Sequence, residues 1–447
     1  MLELRSLLSI FFIFTTCLAY PPTLANRSPV VPPSADPFYK PPSGYENTAP
    51  GTILRHRSVP NPIALIGPIK LRITAAYQIL YRSTDNWDNA TTAVTTVLIP
   101  ENANTSRLLS YQMPEDSASV DCAPSYILQT GITDSDIFSK GSIQSHTFLF
   151  RAALEKGWIV SIPDHEGPKA AYLANRRAGH AVLDGIRAVL DSAPFTGISP
   201  SASVAMWGYS GGSLASGFAA ELQPTYAPDL DMIVGAALGG LIGDIEVVTY
   251  TINNGPFVGI NFGGFNGIAH EYPDIAALYE EQLIESKKEE FYRANHNCFV
   301  ANLIDYAFQD TFSYFKDPNI LGYPQMQQAL KDNNLGLNPP TMPIFVYKGA
   351  FDQISPINST EIVVSRYCAG GTVVNYKDVL THEHAFLQMD GILEPLAWLE
   401  KRMNGDALDT HCSRTNELLP LSEPGSLGEI PPTVQGVVGD VVGTVLA

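Results

Sequence analysis

The run Ser203-Val204-Ala205-Met206-Trp207-Gly208-Tyr209-Ser210-Gly211-Gly212-Ser213-Leu214-Ala215-Ser216-Gly217 sets one serine between an apolar stretch and a series of small residues. The apolar half reads as a buried strand and the small-residue half as a helix. A strand that turns sharply into a helix forces the residue at the turn into a strained conformation and leaves its side chain exposed. Gly208 and Gly212, on either side of Ser210, leave room for strand and helix to approach. The Gly211 N–H would then point from the helix N-terminus at negative charge developing beside Ser210. Ser210 is therefore a candidate nucleophile. Gly-x-Ser-x-Gly alone also fits a glycine-rich packing loop, so the flanking strand and helix carry the reading.

Working outward, strand patterns recur on both sides. "LRITAAYQILYRS" from Leu71, "TTAVTTVLIP" from Thr91, "RLLSYQM" from Arg107 and "GWIVSIPD" from Gly157 precede the serine. "RAGHAVLDGIRAVLDSA" has apolar residues at Val182, Leu183, Ile186, Val189 and Leu190, a helical period. Strand signals return at Pro343–Tyr347 in "MPIFVYKGAFD" and again in "TVVNYKDV", and "GILEPLAWLEKRM" closes the series as a helix. Strands alternating with helices predict an α/β fold with a mostly parallel central sheet covered on both faces. The expected core spans 62–238 and 339–447. Residues 239–338 break the rhythm and read as a helical insertion. Residues 20–61, rich in proline and polar residues, read as an extended arm with little regular structure.

In this architecture the acid and then the base follow the nucleophile. Asp352 ends the "PIFVYKGAF" strand and is the favoured acid, with Asp378 and Asp390 as rivals. "THEHAF" offers both His382 and His384 just before the closing helix, and position alone does not separate them. His411, next to Cys412, reads as part of a surface loop.

Composition bounds the function. The 447-residue chain carries 27 basic and 45 acidic side chains, a formal net charge of −18. No basic cluster stands out, which argues against a nucleic-acid partner. At the N-terminus Arg5 precedes an apolar run from Leu7 to Phe14, and small residues end at Ala19. That run is shorter than the roughly 20 residues that span a bilayer, so residues 1–19 read as a cleaved signal peptide of a secreted protein. The later chain shows no transmembrane segment. Beyond Cys17, four cysteines remain, Cys122, Cys298, Cys368 and Cys412, consistent with two disulfides in an oxidising compartment. Their spacing fits no metal site. Sequons at Asn26, Asn89, Asn104 and Asn358 are glycosylation candidates.

Several long segments match a known family. "SYQMPEDSASVDCAPSY", "IPDHEGPKAAYLANRRAGHAVLDGIRAVL", "GYSGGSLA", "PIFVYKGAFDQISP" and "EHAFLQMDGILEPLAWLEKR" resemble the fungal secretory lipases of the Candida antarctica lipase A type, from about Leu71 to Cys412. The resemblance implies an α/β-hydrolase fold with a helical cap, or lid, over about Gly239 to Asn338, and a C-terminal flap. It implies Ser210, Asp352 and His384 as the triad, choosing His384 over His382. It implies that the Asp116 and Gly211 amides form the oxyanion hole, and that the cysteines pair as Cys122–Cys298 and Cys368–Cys412. The glycines and phenylalanines of "GPFVGINFGGFNGIAHEYP" would make either a mobile apolar lid or simple core packing. The implied activity is that of a secreted serine lipase acting on triacylglycerols and related fatty-acid esters, as a monomer at a lipid–water interface, with no cofactor. A carboxylesterase or acyltransferase using the same triad is the alternative, and a lipid-binding protein without catalysis is a third reading.

Overall fold

The computed structural model describes residues 30–64, 71–132, 146–407 and 409–418. The expected signal peptide at residues 1–19, the Asn26 sequon and the chain beyond Leu418, at the end where a C-terminal flap is expected, lie outside these residues. Ten strands build one sheet: β1 (Ile53–Ser58), β2 (Ile73–Thr84), β3 (Ala90–Pro100), β4 (Asn104–Gln112), β5 (Trp158–Pro163), β6 (Ser203–Tyr209), β7 (Ile233–Gly239), β8 (Ile344–Gly349), β9 (Val374–Val379) and β10 (Ser413–Glu417). Their order is β1-β2-β3-β5-β4-β6-β7-β8-β9-β10. The first three strands pair antiparallel, and β3 meets β5 antiparallel as well. From β5 to β10 every pairing is parallel. This is the mixed, mostly parallel sheet of an α/β-hydrolase.

The central strands are buried on both faces, and β6 shows how. Val204 and Met206 enter one apolar cluster, while Ala205, Trp207 and Tyr209 enter another across the sheet. The first cluster is covered by the helices Asn175–Leu190 and Gly211–Tyr226, the second by Thr147–Glu155 and Leu393–Asn404. Both faces being dry explains why the strand reads as one continuous apolar run rather than an alternation. The predicted positions Val182, Leu183, Ile186, Val189 and Leu190 all face the core.

The arm differs from expectation. Residues 53–58 form edge strand β1, paired with Tyr77 to Tyr81 of β2. Their local pattern mixes arginine and histidine with apolar residues, so the pairing is imposed by β2 rather than by propensity.

Between β7 and β8 the chain is helical, with Ile245–Ile252, Gly259–Glu271, Pro273–Gln282, Phe299–Tyr306 and Pro324–Asp332 as its main helices. This segment has its own aromatic core. Phe262 stacks on Tyr306 with ring centroids 3.9 Å apart, and Phe265, Tyr279, Phe291 and Phe315 surround them. The glycines of this stretch let backbones approach: a Cβ on Gly259 would lie 2.3 Å from the Asn302 carbonyl oxygen, and one on Gly267 would lie 2.7 Å from the Tyr172 nitrogen. Here Phe262 packs within the segment, and Phe265, in the same cluster, also lines the cavity beside Ser210.

Candidate active site

The parallel strands end level with one another. Gln112 of β4 pairs with Gly208, Tyr209 of β6 with Gly239, and Gly349 of β8 with Val379. The loops after β4, β6, β8 and β9 therefore open at one end of the sheet, where α/β folds place their sites.

At the end of β6, Ser210 has φ 53° and ψ −123°, and the helix begins at Gly211. A non-glycine residue held there costs about 1–3 kcal/mol. The turn is tied down on both sides. The Ser210 N–H donates to the Gly239 carbonyl at 2.9 Å, and the Ser210 carbonyl accepts from the Ser213 N–H at 2.8 Å and the Ser213 hydroxyl at 2.6 Å. The three glycines do different work. A Cβ on Gly208 would meet the Gly212 carbonyl oxygen at 2.0 Å, and one on Gly212 would meet the Gln112 carbonyl oxygen at 2.0 Å. One on Gly211 would meet Asp116 Oδ1 at 2.0 Å.

The structure brings Ser210, His384 and Asp352 together. Ser210 Oγ lies 2.8 Å from His384 Nε2, and His384 Nδ1 lies 2.6 Å from Asp352 Oδ2. The histidine opens a short helix, His384–Asp390, and is held from three directions. Its N–H donates to Gln353 Oε1 at 3.0 Å, its carbonyl accepts from the Tyr209 hydroxyl at 2.7 Å, and the Tyr209 ring meets its imidazole edge to face. Asp352 Oδ1 accepts from the Ile354 and Ser355 N–H groups at 3.0 and 2.7 Å. Burial alone would push the Asp352 carboxyl up, but the adjoining His384 and Lys348 charges outweigh it and hold the group well below the usual carboxylate range.

The rivals lie elsewhere. Asp378 Oδ2 pairs with Arg414 Nε at 2.5 Å. Asp390 is at the far end of the helix that His384 begins. His382 sets its Nδ1 3.0 Å from the Thr381 hydroxyl, and His411 is exposed.

Lys348 was not anticipated. Its ammonium, completely buried in β8, lies 2.8 Å from Asp352 Oδ2 and donates to the Leu241 carbonyl at 2.9 Å. Burial pushes its pKa down, with Asp352 opposing. The available signal was a lone lysine inside an otherwise apolar strand.

Asp116 follows β4 with φ 47° and is buried beside the serine turn. Its Oδ1 has no hydrogen-bond partner among the described residues. Burial raises its carboxyl to about 7, against the pull of His165 and with a further push from Glu115. Behind it, Glu115 Oε1 accepts the His165 N–H at 2.6 Å, while burial and then Glu115 raise the carboxyls of Asp164 and Glu166. The segment is fastened to the helical region. The Ser117 hydroxyl donates to the Asn297 carbonyl at 2.9 Å, and Cys122 is bonded to Cys298. Cys368 is bonded to Cys412, joining the helix Ile357–Ala369 to the start of β10. Both pairings are those the resemblance implied.

A cavity opens next to Ser210 and Gly211. Leu214 and Ile242 line it from the core, and Val248 and Phe265 from the helical segment. The arrangement suits a reaction in which a hydroxyl is activated by an imidazole next to an apolar chain. Among the described residues, no group of three His, Cys, Asp or Glu could hold a metal ion, and no helix is long and apolar enough to cross a membrane.

Comparison with known proteins gives this site a family. The chain is 43% identical to Lipase A of Arthroderma benhamiae over 414 residues, 92% of this chain and 88% of that one. It is 36% identical to Lipase 4 of Candida albicans over 432 residues, 94% and 92% of the two chains. The fold superposes on the closed-state crystal structure of Candida antarctica lipase A with a TM-score of 0.82 at 26% identity, covering 92% of this chain and 96% of that one. The model of the secretory lipase family matches residues 134–410. With that match and relatives aligned over nine-tenths of its length, this chain belongs to the secretory lipase family and is a lipase.

Proposed function

We propose that the protein is a secreted serine lipase that hydrolyses triacylglycerols and related fatty-acid esters through an acyl-enzyme. The observation that carries this reading is the unbroken series Ser210 Oγ, His384 and Asp352 at hydrogen-bond distances. His384 Nε2 takes the Ser210 proton as the oxygen attacks the ester carbonyl, and Asp352 holds the imidazole in the tautomer that allows it. The Gly211 and Asp116 amides face the oxyanion, each worth roughly 3 kcal/mol of barrier. His384 then protonates the leaving alcohol, and the same base activates the water that frees the fatty acid. The apolar walls of the cavity receive the acyl chain. The helical region between β7 and β8 acts as the cap, with the exposed Val247 and Tyr250 turned to a lipid–water interface. All the groups come from one chain, so a monomer suffices. The leader at residues 1–19, the two disulfides and the exposed sequon residues Asn89, Asn104 and Asn358 support export through an oxidising route.

Replacing Ser210 by Ala tests the reading. The variant is expected to lose hydrolysis of both tributyrin and long-chain triglycerides, and to lose fluorophosphonate labelling, with an unchanged unfolding curve. Ester hydrolysis retained at the parent rate contradicts the assignment. Rates across an acyl series separate a lipase from a short-chain esterase.

A further inference from the structure

Resting on the triad reading above, the geometry points to Lys348 as a positioning residue of the catalytic site: we infer that its buried ammonium pins the Asp352 carboxylate and sets the pH at which His384 becomes available as a base. Asp352 Oδ2 receives two donors, His384 Nδ1 at 2.6 Å and Lys348 Nζ at 2.8 Å. The side chains of both Lys348 and Asp352 have zero exposure, so water screens neither charge. A lysine without a role in the site would bring its ammonium to solvent along its flexible stem. This one is turned inward from a strand whose every residue is buried.

The structure shows what the lysine is not needed for. The Leu241 carbonyl that accepts from Lys348 also accepts from the Thr360 hydroxyl at 2.9 Å and the Ser355 hydroxyl at 3.2 Å. Removing the ammonium leaves that carbonyl satisfied. Asp352 Oδ1 likewise keeps its two backbone donors. What disappears is the positive charge on the oxygen that faces the imidazole.

The sign follows from charge alone. The Asp352 carboxylate faces the imidazole at 2.6 Å and attracts positive charge toward it. Lys348 shares that carboxylate and repels the imidazolium, so it favours the neutral base at lower pH. The other groups packed against His384 leave this balance intact. They are Tyr209 and Ser210 from the end of β6, Gly240 after β7, Gln353 from the loop after β8, and the chain neighbours His382 and Glu383. Of these, Glu383 is the acidic side chain, and it is part exposed. Asp116 lies across the serine, beside Gly211.

The test is the pH profile of kcat/KM on a soluble ester for the full chain, for Lys348→Met, and for Lys348→Arg. Fluorophosphonate labelling of Ser210 in the native chain comes first; its absence would remove the triad reading itself and is recognisable as such. With labelling present, Lys348→Met is expected to move the acid limb up by about one pH unit, with kcat lowered and KM unchanged. Lys348→Arg, which restores a cation, is expected to return the midpoint toward the native value. A folded Lys348→Met protein with the native midpoint overturns the inference. Should Lys348→Met not fold, Lys348→Gln, which keeps a donor without the charge, decides on the same pH profile: a raised midpoint supports the inference, and the native midpoint overturns it.

Discussion

Asp116 offers the sharpest test of the site's electrostatics, through its replacement by Asn. Asparagine keeps the backbone N–H, keeps the side-chain shape, and tolerates the φ of 47° found there. It removes the ability to ionise and exchanges one carboxyl oxygen for an amide NH2. In the parent the carboxyl is raised by burial to about 7 from an ordinary 3.8. Below that value it is neutral; above it, a negative charge stands against Gly211, one of the two proposed oxyanion donors. A carboxylate about 5 Å from the oxyanion, at an effective dielectric of about 20, repels it by about 3 kcal/mol, more than a hundredfold in rate. The parent is therefore expected to lose kcat/KM as pH rises through 7, and Asp116→Asn to lose much less. Stability obeys the same sign. A carboxyl whose folded pKa is raised binds a proton more tightly when folded, so its contribution is present below about 3.8 and is lost as pH climbs to about 7. The shift of about three units sets a ceiling of about 4 kcal/mol on that loss. The assay is kcat/KM from pH 5 to 9 with thermal unfolding at pH 5 and pH 8, parent against variant. Asp164 and Glu166 stay in place and keep their share of the pH dependence. An Asp116→Asn variant whose alkaline limb and stability difference both match the parent refutes the reasoning.

Two further substitutions probe the geometry around the serine. Gly212→Ala sets a methyl 2.0 Å from the Gln112 backbone oxygen, which only a shift of β4 can relieve; a cost of about 1–3 kcal/mol and a large drop in fluorophosphonate labelling are expected, and full labelling at parent stability speaks against the close approach. Tyr209→Phe removes the hydroxyl that holds the His384 carbonyl at 2.7 Å; about 1 kcal/mol of stability and a reduced kcat at constant KM are expected in steady-state assays, and an unchanged kcat shows the histidine is placed by Gln353 and Asp352 alone.

The elbow was legible because its requirements are local. An apolar strand, a glycine two residues before the serine and small residues after it specify the turn without reference to the rest of the chain. The sheet was legible where burial on both faces makes long apolar runs, as in β3, β5 and β8. It was not legible in β1, whose arginines and histidine are tolerated at an edge, nor in β10, where Ser413 to Glu417 is polar and nearly all exposed. β7 escaped because Gly235, Ala236 and Ala237 lack the branched side chains that mark strands. His384 and His382 lie two residues apart, and no periodicity distinguishes them. Contacts from Tyr209 and Gln353, distant or unremarkable in sequence, decide which one faces Ser210. Lys348 lay outside sequence reasoning for a related reason: whether a strand lysine points to water or into the core depends on which neighbour waits there.

The bond between Cys122 and Cys298 joins positions 176 residues apart in the chain. Ser210 lies inside the loop it closes, whereas Asp352 and His384 lie outside. Any single cut by an external protease within that loop, up to Asn297, therefore yields a two-chain protein rather than two fragments. Ser210 stays tethered to His384 until a reductant reaches the bridge. Wherever a protease reaches this loop, nicking the chain and separating its pieces become distinct events.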